Sequence, residues 1–171
     1  MKGWIVSVNT KGFEEPHSVE KGAQPTGAVL GSWGFVGDYH NRAMRPSFSV
    51  PGTLKPNIDR HVSLLAIEVI DSLNTELGLD MRSGTLGENI TTRGLGDLSH
   101  IADGSRLVIK NSLDTELAIL RVIEQNQPCK NLHSKHRLLV KKIYGRRGLL
   151  CVIERGVGKR ICRNDSIEFF P

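Results

Sequence analysis

Short strand-like segments separated by closely spaced turns are the feature that most restricts the fold of this chain. Such segments occur at residues 5–9, 62–66, 105–110, 115–123, 149–153, 159–162 and 166–170. Gly, Asn and Asp residues between them are typical of hairpin turns, and residues 105–123 read as one antiparallel hairpin. Many short strands with close turns favour a barrel or a sandwich over alternating βαβ units. The predicted fold is therefore mainly β and barrel-like, with a few short helices.

Two stretches interrupt the β pattern with helical spacing. Apolar residues recur near a period of 3.6 over residues 66–77, and Gly78 follows as a stop signal, which predicts a helix there. A second helix is predicted to begin at Pro128 and to end at Gly145, with apolar residues on one face and basic residues on the other. Residues 41–59 are rich in Pro, Ser, Asn and Arg and show little periodicity. They are predicted to form a long connection that acts as a lid or is mobile.

Length and charge narrow the possibilities further. The 171 residues predict a single domain over residues 1–171, and 39% hydrophobic with 24% charged residues excludes wholesale disorder. The formal net charge is +5, and the stretch from Lys130 to Arg147 contains basic residues but no Asp or Glu. This basic stretch (residues 130–147) predicts an anionic partner, and a solvated charged face is the alternative.

The compartment follows from what the sequence lacks. No run approaches the ~20 apolar residues of a membrane span, and the first residues lack the apolar core and cleavage site of a secretory signal. The three cysteines, Cys129, Cys151 and Cys162, form no CxxC pair, so we expect neither a disulfide framework nor a structural zinc site. We expect a cytoplasmic protein without a membrane partner.

Cys129 is the most informative single residue. It follows Pro128 at the predicted start of the basic helix, where backbone N–H groups and Lys130 would favour the thiolate. A thiolate can attack, carry a sulfur atom or bind a soft metal, and an inert cysteine is the alternative. Cys151 and Cys162 lie within apolar strand patterns and are predicted to be buried.

Two further clusters combine glycine with polar side chains. Asp38 and His40 are two residues apart, so on an extended segment they would point the same way and could orient each other or bind an ion. Glu88, Asn89 and Thr91 follow a Gly-Thr-Leu-Gly turn and offer donors and acceptors around a cavity. The alternatives are turn residues in the first cluster and a glycine turn leading into a strand in the second. The phosphate-binding patterns GxxxxGK[ST] and GxGxxG are both absent.

The order of these clusters resembles a known family. Gly-Asp-x-His at 37–40, Arg-x-Val-Ser-Leu-Leu at 60–65, Gly-x-x-Gly-Glu-Asn-Ile-Thr at 84–91 and Pro-Cys at 128–129 are similar to the motifs of the MOSC domain. This domain takes its name from the C-terminal region of molybdenum cofactor sulfurase. The resemblance covers residues 29–170 and implies a barrel-like β fold, in agreement with the strand pattern.

The resemblance also implies a function. It implies an oxidoreductase that binds a molybdopterin-type molybdenum cofactor and reduces small N-hydroxylated compounds with the help of redox partner proteins. Cys129 would be the molybdenum ligand, and His40 or Glu88 would be catalytic residues that supply protons. The cofactor-binding residues would be Asp38, Arg60, Asn89, Thr91, Lys130 and Arg137. No pyridoxal phosphate is expected on this chain itself, because it has no room for a sulfurase domain.

Two alternatives remain open. Cys129 could accept a persulfide sulfur from a cysteine desulfurase or sulfurase and pass it on for the sulfuration of a cluster or cofactor. The basic stretch could instead bind nucleic acid on the surface of the barrel. Nucleic acid is the less favoured partner, because Tyr144 is the only aromatic residue of the stretch available to stack on bases.

Overall fold

A closed barrel of seven strands forms the centre of the computed structural model, which describes residues 1–14, 19–47 and 50–171. The strands of the described chain are β1 (Lys2–Thr10), β2 (Gly22–Ala23), β3 (Ala28–Gly31), β4 (Gly34–Phe35), β5 (Met44–Pro46), β6 (Leu54–Pro56), β7 (Val62–Ala66), β8 (Ile90–Arg93), β9 (Arg106–Lys110), β10 (Glu116–Gln125), β11 (Leu149–Arg155), β12 (Arg160–Ile161) and β13 (Ser166–Phe170). The helices are α1 (Ile67–Leu77), α2 (Leu139–Ile143) and a 3-10 helix (Lys130–Ser134). The mainly β, barrel-like prediction is confirmed.

The barrel follows the strand order β13-β9-β10-β11-β7-β8-β1, and β1 pairs with β13 to close it. Among the pairs of the described chain, β7 with β8 is the one parallel pair, with Leu64 opposite Ile90. Parallel neighbours need a crossover connection, and α1 provides it between β7 and β8. The strands β3, β4 and β12 form a separate small sheet.

Alternating side chains fill the interior of the barrel. In β9 and along the middle of β10 every second residue is buried, which is the two-residue period of a strand with one face on the core. Residues completely or almost completely removed from solvent include Leu107, Ile109, Leu120, Val122 and Ile167. Burial of each such aliphatic side chain contributes about 1.5–3 kcal/mol. Helix α1 adds Val69, Ile70 and Leu73 to the same core.

Several local predictions are confirmed. Strands β7 and β13 have the bounds predicted from the sequence, and β9 with β10 forms the predicted antiparallel hairpin. Helix α1 occupies the predicted span, and Gly78 ends it in the left-handed conformation at φ 64°. The turn at residues 84–87 leads into β8, as one of the two interpretations of that cluster proposed.

The prediction of one helix over residues 128–145 is wrong. The stretch is divided into the 3-10 helix and α2, because the side chain of His136 accepts a hydrogen bond from the backbone N–H of Leu138 at 3.1 Å. Ser134 likewise bonds to the backbone within its own turn. Such side-chain bonds compete with the helical pattern. Cys129 therefore lies in extended conformation before a short 3-10 helix and not in the first turn of a long helix.

The connection over residues 41–59 is more ordered than predicted. Its described part contains the antiparallel pair β5–β6, with Met44 opposite Pro56. The Arg45 guanidinium bonds both carboxylate oxygens of Asp59, with a shortest distance of 2.6 Å. This ion pair connects β5 to the segment that follows β6. Residues 48–49 lie outside the described part of the chain. No helix in the described residues is long and apolar enough to cross a membrane.

Candidate functional site

A polar cavity of about 340 Å³ contains Cys129 in its wall. The cavity lies at one rim of the barrel. The start of β7, the loop before β8, the segment at the end of β10 and the start of β11 contribute to its wall. The lining residues are Lys21, His40, Arg60, His61, Val62, Ser63, Gly87, Asn89, Asn126, Gln127, Cys129, Asn131, Arg147 and Leu150. The structure thus brings four of the predicted site residues together: Cys129, His40, Arg60 and Asn89.

Cys129 is exposed at this wall, unlike the other two cysteines. The carbonyl oxygen of Cys129 accepts the backbone N–H of Leu132 at 3.1 Å, and the buried Leu132 anchors that turn in the core. Cys151 is buried inside β11, and burial raises the pKa of its thiol. Cys162 is half-buried at the end of β12 and does not contribute to the cavity. Cys129 is therefore the thiol that a ligand in this cavity would meet.

Behind the wall, Asp38 is the centre of a buried polar network. Lys21 Nζ lies 3.0 Å from Asp38 Oδ2, and Asn89 Nδ2 donates to the same oxygen at 3.0 Å. The other oxygen of Asp38 accepts the backbone N–H of His40 at 2.7 Å and lies 3.2 Å from His40 Nδ1. Burial by itself would raise the pKa of Asp38, but the bonds from His40 and the charge of Lys21 hold it well below its usual range. Asp38 therefore stays ionised, and its carboxylate holds the ammonium group of Lys21 and the side-chain amide of Asn89 in place.

His40 is held at one end and accessible at the other. Its side chain is about half exposed and lines the cavity, while Nδ1 faces the carboxylate of Asp38. Burial lowers the pKa of His40, and this effect outweighs the opposite effect of the hydrogen bond to Asp38. In the neutral ring, Nδ1 carries the proton and donates a hydrogen bond to Asp38, and Nε2 is left as a hydrogen-bond acceptor. The ring is thus oriented so that Nε2 can exchange a proton with a molecule in the cavity.

Three cations line the cavity, and no carboxylate lines it among the described residues. Burial lowers the pKa of Lys21, although Asp38 counteracts this. Arg60 Nη2 bonds Glu124 Oε1 at 3.1 Å. Arg147 donates to the backbone oxygens of Gln127 and Leu86, while its buried Nε has no partner in the described chain. Since Lys21 and Arg60 are each paired with a carboxylate, Arg147 is the cation through which this wall suits an anion.

The other predicted site residues do not contribute to the wall. Glu88 and Thr91 are buried behind it, where Glu88 Oε1 accepts the backbone N–H of Gly84 at 2.6 Å and the hydroxyl of Thr91 at 2.8 Å. Burial raises the pKa of Glu88. These bonds hold the turn that positions Asn89. Lys130 and Arg137 belong to the basic stretch but are not part of the cavity wall.

Acidic partners neutralise part of the basic stretch. Lys135 forms an ion pair with Glu20, and Glu76 receives both Lys142 at 3.2 Å and Arg146 at 2.7 Å. The hydrogen bond from Arg146 is the main reason that the pKa of Glu76 falls to about 2. Three of the seven basic residues of the stretch are therefore paired with two carboxylates of the protein itself.

Several lining residues were not predicted from the sequence. His61 is structural, because Nε2 bonds the carbonyl oxygen of Asn57 at 2.8 Å and Nδ1 accepts the N–H of Ile153 at 3.1 Å. Lys21 lies outside every motif, and the strand pair β1–β2 beside it brings it to Asp38. Arg147 was counted in the basic stretch, but nothing in its neighbours distinguished it from the other basic residues.

Comparison with known proteins identifies the family. A model of the MOSC domain matches residues 36–168. The chain belongs to the MOSC domain family. The match includes all the motif residues that carried the resemblance, and His40, Arg60, Asn89 and Cys129 of these motifs line the cavity. No significant match was found among curated proteins.

Solved structures share the fold of this MOSC domain. The YuaD protein from Bacillus subtilis is 21% identical, with a TM-score of 0.80 over 99% of this chain and 96% of its own. YiiM from Geobacillus stearothermophilus is 17% identical, with a TM-score of 0.66 over 99% of this chain and 75% of its own. YiiM from Escherichia coli is 17% identical, with a TM-score of 0.67 over 100% and 70%. At these identities the similarity shows the fold alone.

Proposed function

We propose that this MOSC protein binds a molybdopterin-type molybdenum cofactor and reduces small N-hydroxylated compounds in the cytoplasm. The observation that carries this proposal is the exposed thiol of Cys129 in a cavity with three cations in its wall. A thiolate is a soft ligand that suits molybdenum. Arg147 would receive the phosphate of the cofactor, with the paired Lys21 and Arg60 beside it.

The donor set of the cavity fits a metal that brings most of its own ligands. Among residues 1–14, 19–47 and 50–171, no group of three His, Cys, Asp or Glu side chains could hold a metal ion. Cys129 alone would therefore complete a coordination sphere supplied by the dithiolene sulfurs of the cofactor. The buried Nε of Arg147, which has no partner in the described chain, is a donor available to an anion there. When bound, the cofactor would supply the electron pair that reduces N–OH to N–H with release of water.

His40 is the residue proposed to move protons in this reaction. Asp38 orients its ring through Nδ1, so that Nε2 is left for substrate or water. Because burial lowers the pKa of His40, the ring is neutral at neutral pH, and any proton that it delivers must first be taken up from solvent. Its half-exposed position allows that exchange. Glu88, which is buried behind Asn89, would act through the position of the loop and not by contact with substrate.

Metal content tests the proposal directly. The chain, produced in cells that make the cofactor, should carry about one molybdenum per chain, as expected for a single site with one thiolate ligand. Cys129→Ser should remove most of this metal, because a serine hydroxyl is a hard and poorly ionised ligand. Cys162→Ser is the matched control and should leave it unchanged, since Cys162 is remote from the cavity. A wild-type chain without molybdenum, from cells whose other molybdenum enzymes are loaded, contradicts the proposal.

A sulfur carrier is the second candidate, and the exposure of the Cys129 thiol favours it. In that case a cysteine desulfurase would transfer a sulfur atom from its own persulfide to the Cys129 thiolate, and the desulfurase cysteine would leave as a thiolate. Intact-mass measurement after incubation with such an enzyme and cysteine should show a gain of one sulfur atom. The gain should disappear in Cys129→Ser and persist in Cys162→Ser. A chain that carries molybdenum and gains no sulfur excludes this candidate.

A further inference from the structure

A second cavity, of about 270 Å³, lies beside the one that contains Cys129. Its walls come from the segment after Asp38, from strand β5 and from the residues that follow β6. Tyr39, Met44 and Pro46 provide ring and aliphatic surface. Five of its eight lining residues belong to residues 41–59, so this cavity is made largely by the long connection before β7.

The two cavities share two lining residues. His40 and Arg60 line both of them. A molecule with its reacting group at Cys129 would therefore extend past His40 into the second cavity. The position of His40 between the two spaces places the oriented imidazole beside the middle of such a molecule.

Asn57 provides an unused hydrogen-bond acceptor in the second cavity. Its side chain is buried, with 1% of the residue exposed, and Nδ2 donates to the carbonyl oxygen of Arg42 at 3.1 Å. Its backbone N–H donates to the carbonyl oxygen of Ala43 at 2.8 Å. Asn57 Oδ1, in contrast, has no partner in the described part of the chain. A buried acceptor without a donor is unfavourable, so an N–H or O–H donor from a ligand would be stabilised there.

Arg42 gives the second cavity its charge preference. Its guanidinium lies 4.1 Å from the ring centre of Tyr39 and 5.1 Å from that of Phe13, and these cation–π contacts hold it in place. Arg45 is bonded to Asp59 and Arg60 to Glu124. Arg42 has no carboxylate partner among the described residues, so its N–H groups can receive an anion.

We propose that the second cavity binds the non-reacting part of the substrate, a flat apolar ring that carries a carboxylate beside Arg42. The volume suits a single substituted ring, because pockets for larger drug-sized molecules occupy about 300–1,000 Å³. The inference rests on the proposed function, which places the N–OH group of the same molecule at Cys129.

Two probes that differ in one carboxylate test this inference. Isothermal titration calorimetry on the purified full-length chain compares benzamidoxime with 4-carboxybenzamidoxime. The carboxylated probe should bind about tenfold more tightly, as a charge-assisted contact to an arginine would give. Arg42→Gln should reduce this preference to about twofold or less. Arg82→Gln, a change at a highly exposed arginine paired with Asp80, should alter neither affinity.

A second variant tests the location independently of charge. Met44 is partly exposed on β5 and lines the cavity, so Met44→Trp should fold and fill the space. The affinity for both probes should fall about tenfold or more, because the tryptophan side chain would leave no room for the ring of the probe. Far-ultraviolet circular dichroism confirms that the variant is folded.

Three results would overturn the inference: equal affinities of the two probes for the wild type, no binding of either probe, or unchanged binding in Met44→Trp. The binding measurement does not depend on molybdenum. A chain that holds molybdenum and binds both probes equally therefore refutes the second cavity alone. A chain that shows the preference and holds no molybdenum refutes the proposed function alone.

Discussion

Replacement of Lys21 by methionine removes the positive charge from the buried pair at the centre of the site. The side chains of Lys21 and Asp38 are 2% and 1% exposed, and Nζ lies 3.0 Å from Oδ2. Methionine keeps most of the apolar stem but leaves the Asp38 carboxylate without its cation. We therefore expect Lys21→Met to destabilise the protein mainly through uncompensated charge.

The size of the effect follows from the remaining partners of Asp38. Loss of one member of a buried pair costs about 3–5 kcal/mol. In Lys21→Met the carboxylate keeps bonds from the backbone N–H of His40 and from Asn89 Nδ2, so about 3 kcal/mol is expected. Asp38→Asn leaves a buried ammonium with no anion in contact and should cost about 5 kcal/mol. The double variant should cost less than the sum by about 2 kcal/mol, because both changes remove the same pair.

Urea unfolding at neutral pH measures these differences. For a chain of this size, a slope of about 2–3 kcal/mol per molar urea converts the loss in Lys21→Met to a midpoint about 1–1.5 M lower. Lys2→Met is the matched control, since Lys2 is half exposed and 3.5 Å from Glu168, and it should cost less than about 1 kcal/mol. Two results would refute the electrostatic argument: a loss of unfolding free energy in the double variant equal to the sum of the two single losses, or a loss in Lys21→Met as small as in the control.

Three further outcomes are expected. Gly148→Ala should lower the free energy of unfolding by about 3 kcal/mol, because φ of Gly148 is +81° and the added Cβ would overlap the carbonyl oxygen of Leu64. Calorimetry measures this loss, and a value below about 1 kcal/mol contradicts the expectation. Reductase kcat should fall as pH rises through the pKa of His40, which burial lowers from its ordinary value, and His40→Gln should flatten that profile. An unchanged profile rules out His40 as the proton donor. Wild-type stability should decrease as pH falls below about 4, because Asp38 takes up a proton in the unfolded state before it does so in the folded state. Urea midpoints against pH should show a smaller slope in Asp38→Asn, and equal slopes would refute this.

The strands of the barrel could be predicted because their signals are local. Residues 62–66 and 166–170 form β7 and β13 with the predicted bounds, since apolar alternation and flanking turns are visible in the sequence. The closure of the barrel could not be predicted. It joins Lys2 to Glu168, at opposite ends of the chain, and no local pattern specifies such a pairing.

The helix over residues 128–145 shows the limit of periodicity. Leu132, Leu139 and Ile143 have the spacing of one helix, and all three are buried. Burial, however, is equally satisfied by two short helices with a break between them. The bond from Leu138 N–H to His136 decides between the two arrangements, and apolar spacing carries no information about it.

Site residues that belong to sequence motifs could be predicted. Site residues that depend on a partner from a distant segment could not. Cys129 and His40 belong to motifs, and the structure places both at one cavity. Lys21 is an isolated lysine before a glycine, and its importance arises from a partner on another segment. Lys130 was chosen because it follows Cys129, but a neighbour in sequence need not share a surface with its cysteine.

The parallel pairing of β7 with β8 has a consequence for how such a site can change. Both strands begin at the same rim, so Arg60 before β7 and Asn89 before β8 arrive there together. Because α1 returns the chain outside the barrel, no hairpin turn ties the two starts to each other. Segments of different length can then be inserted ahead of either strand without a change of register, as the β5–β6 pair illustrates. New binding preferences can therefore arise at this rim while the barrel keeps its pairing and its stability.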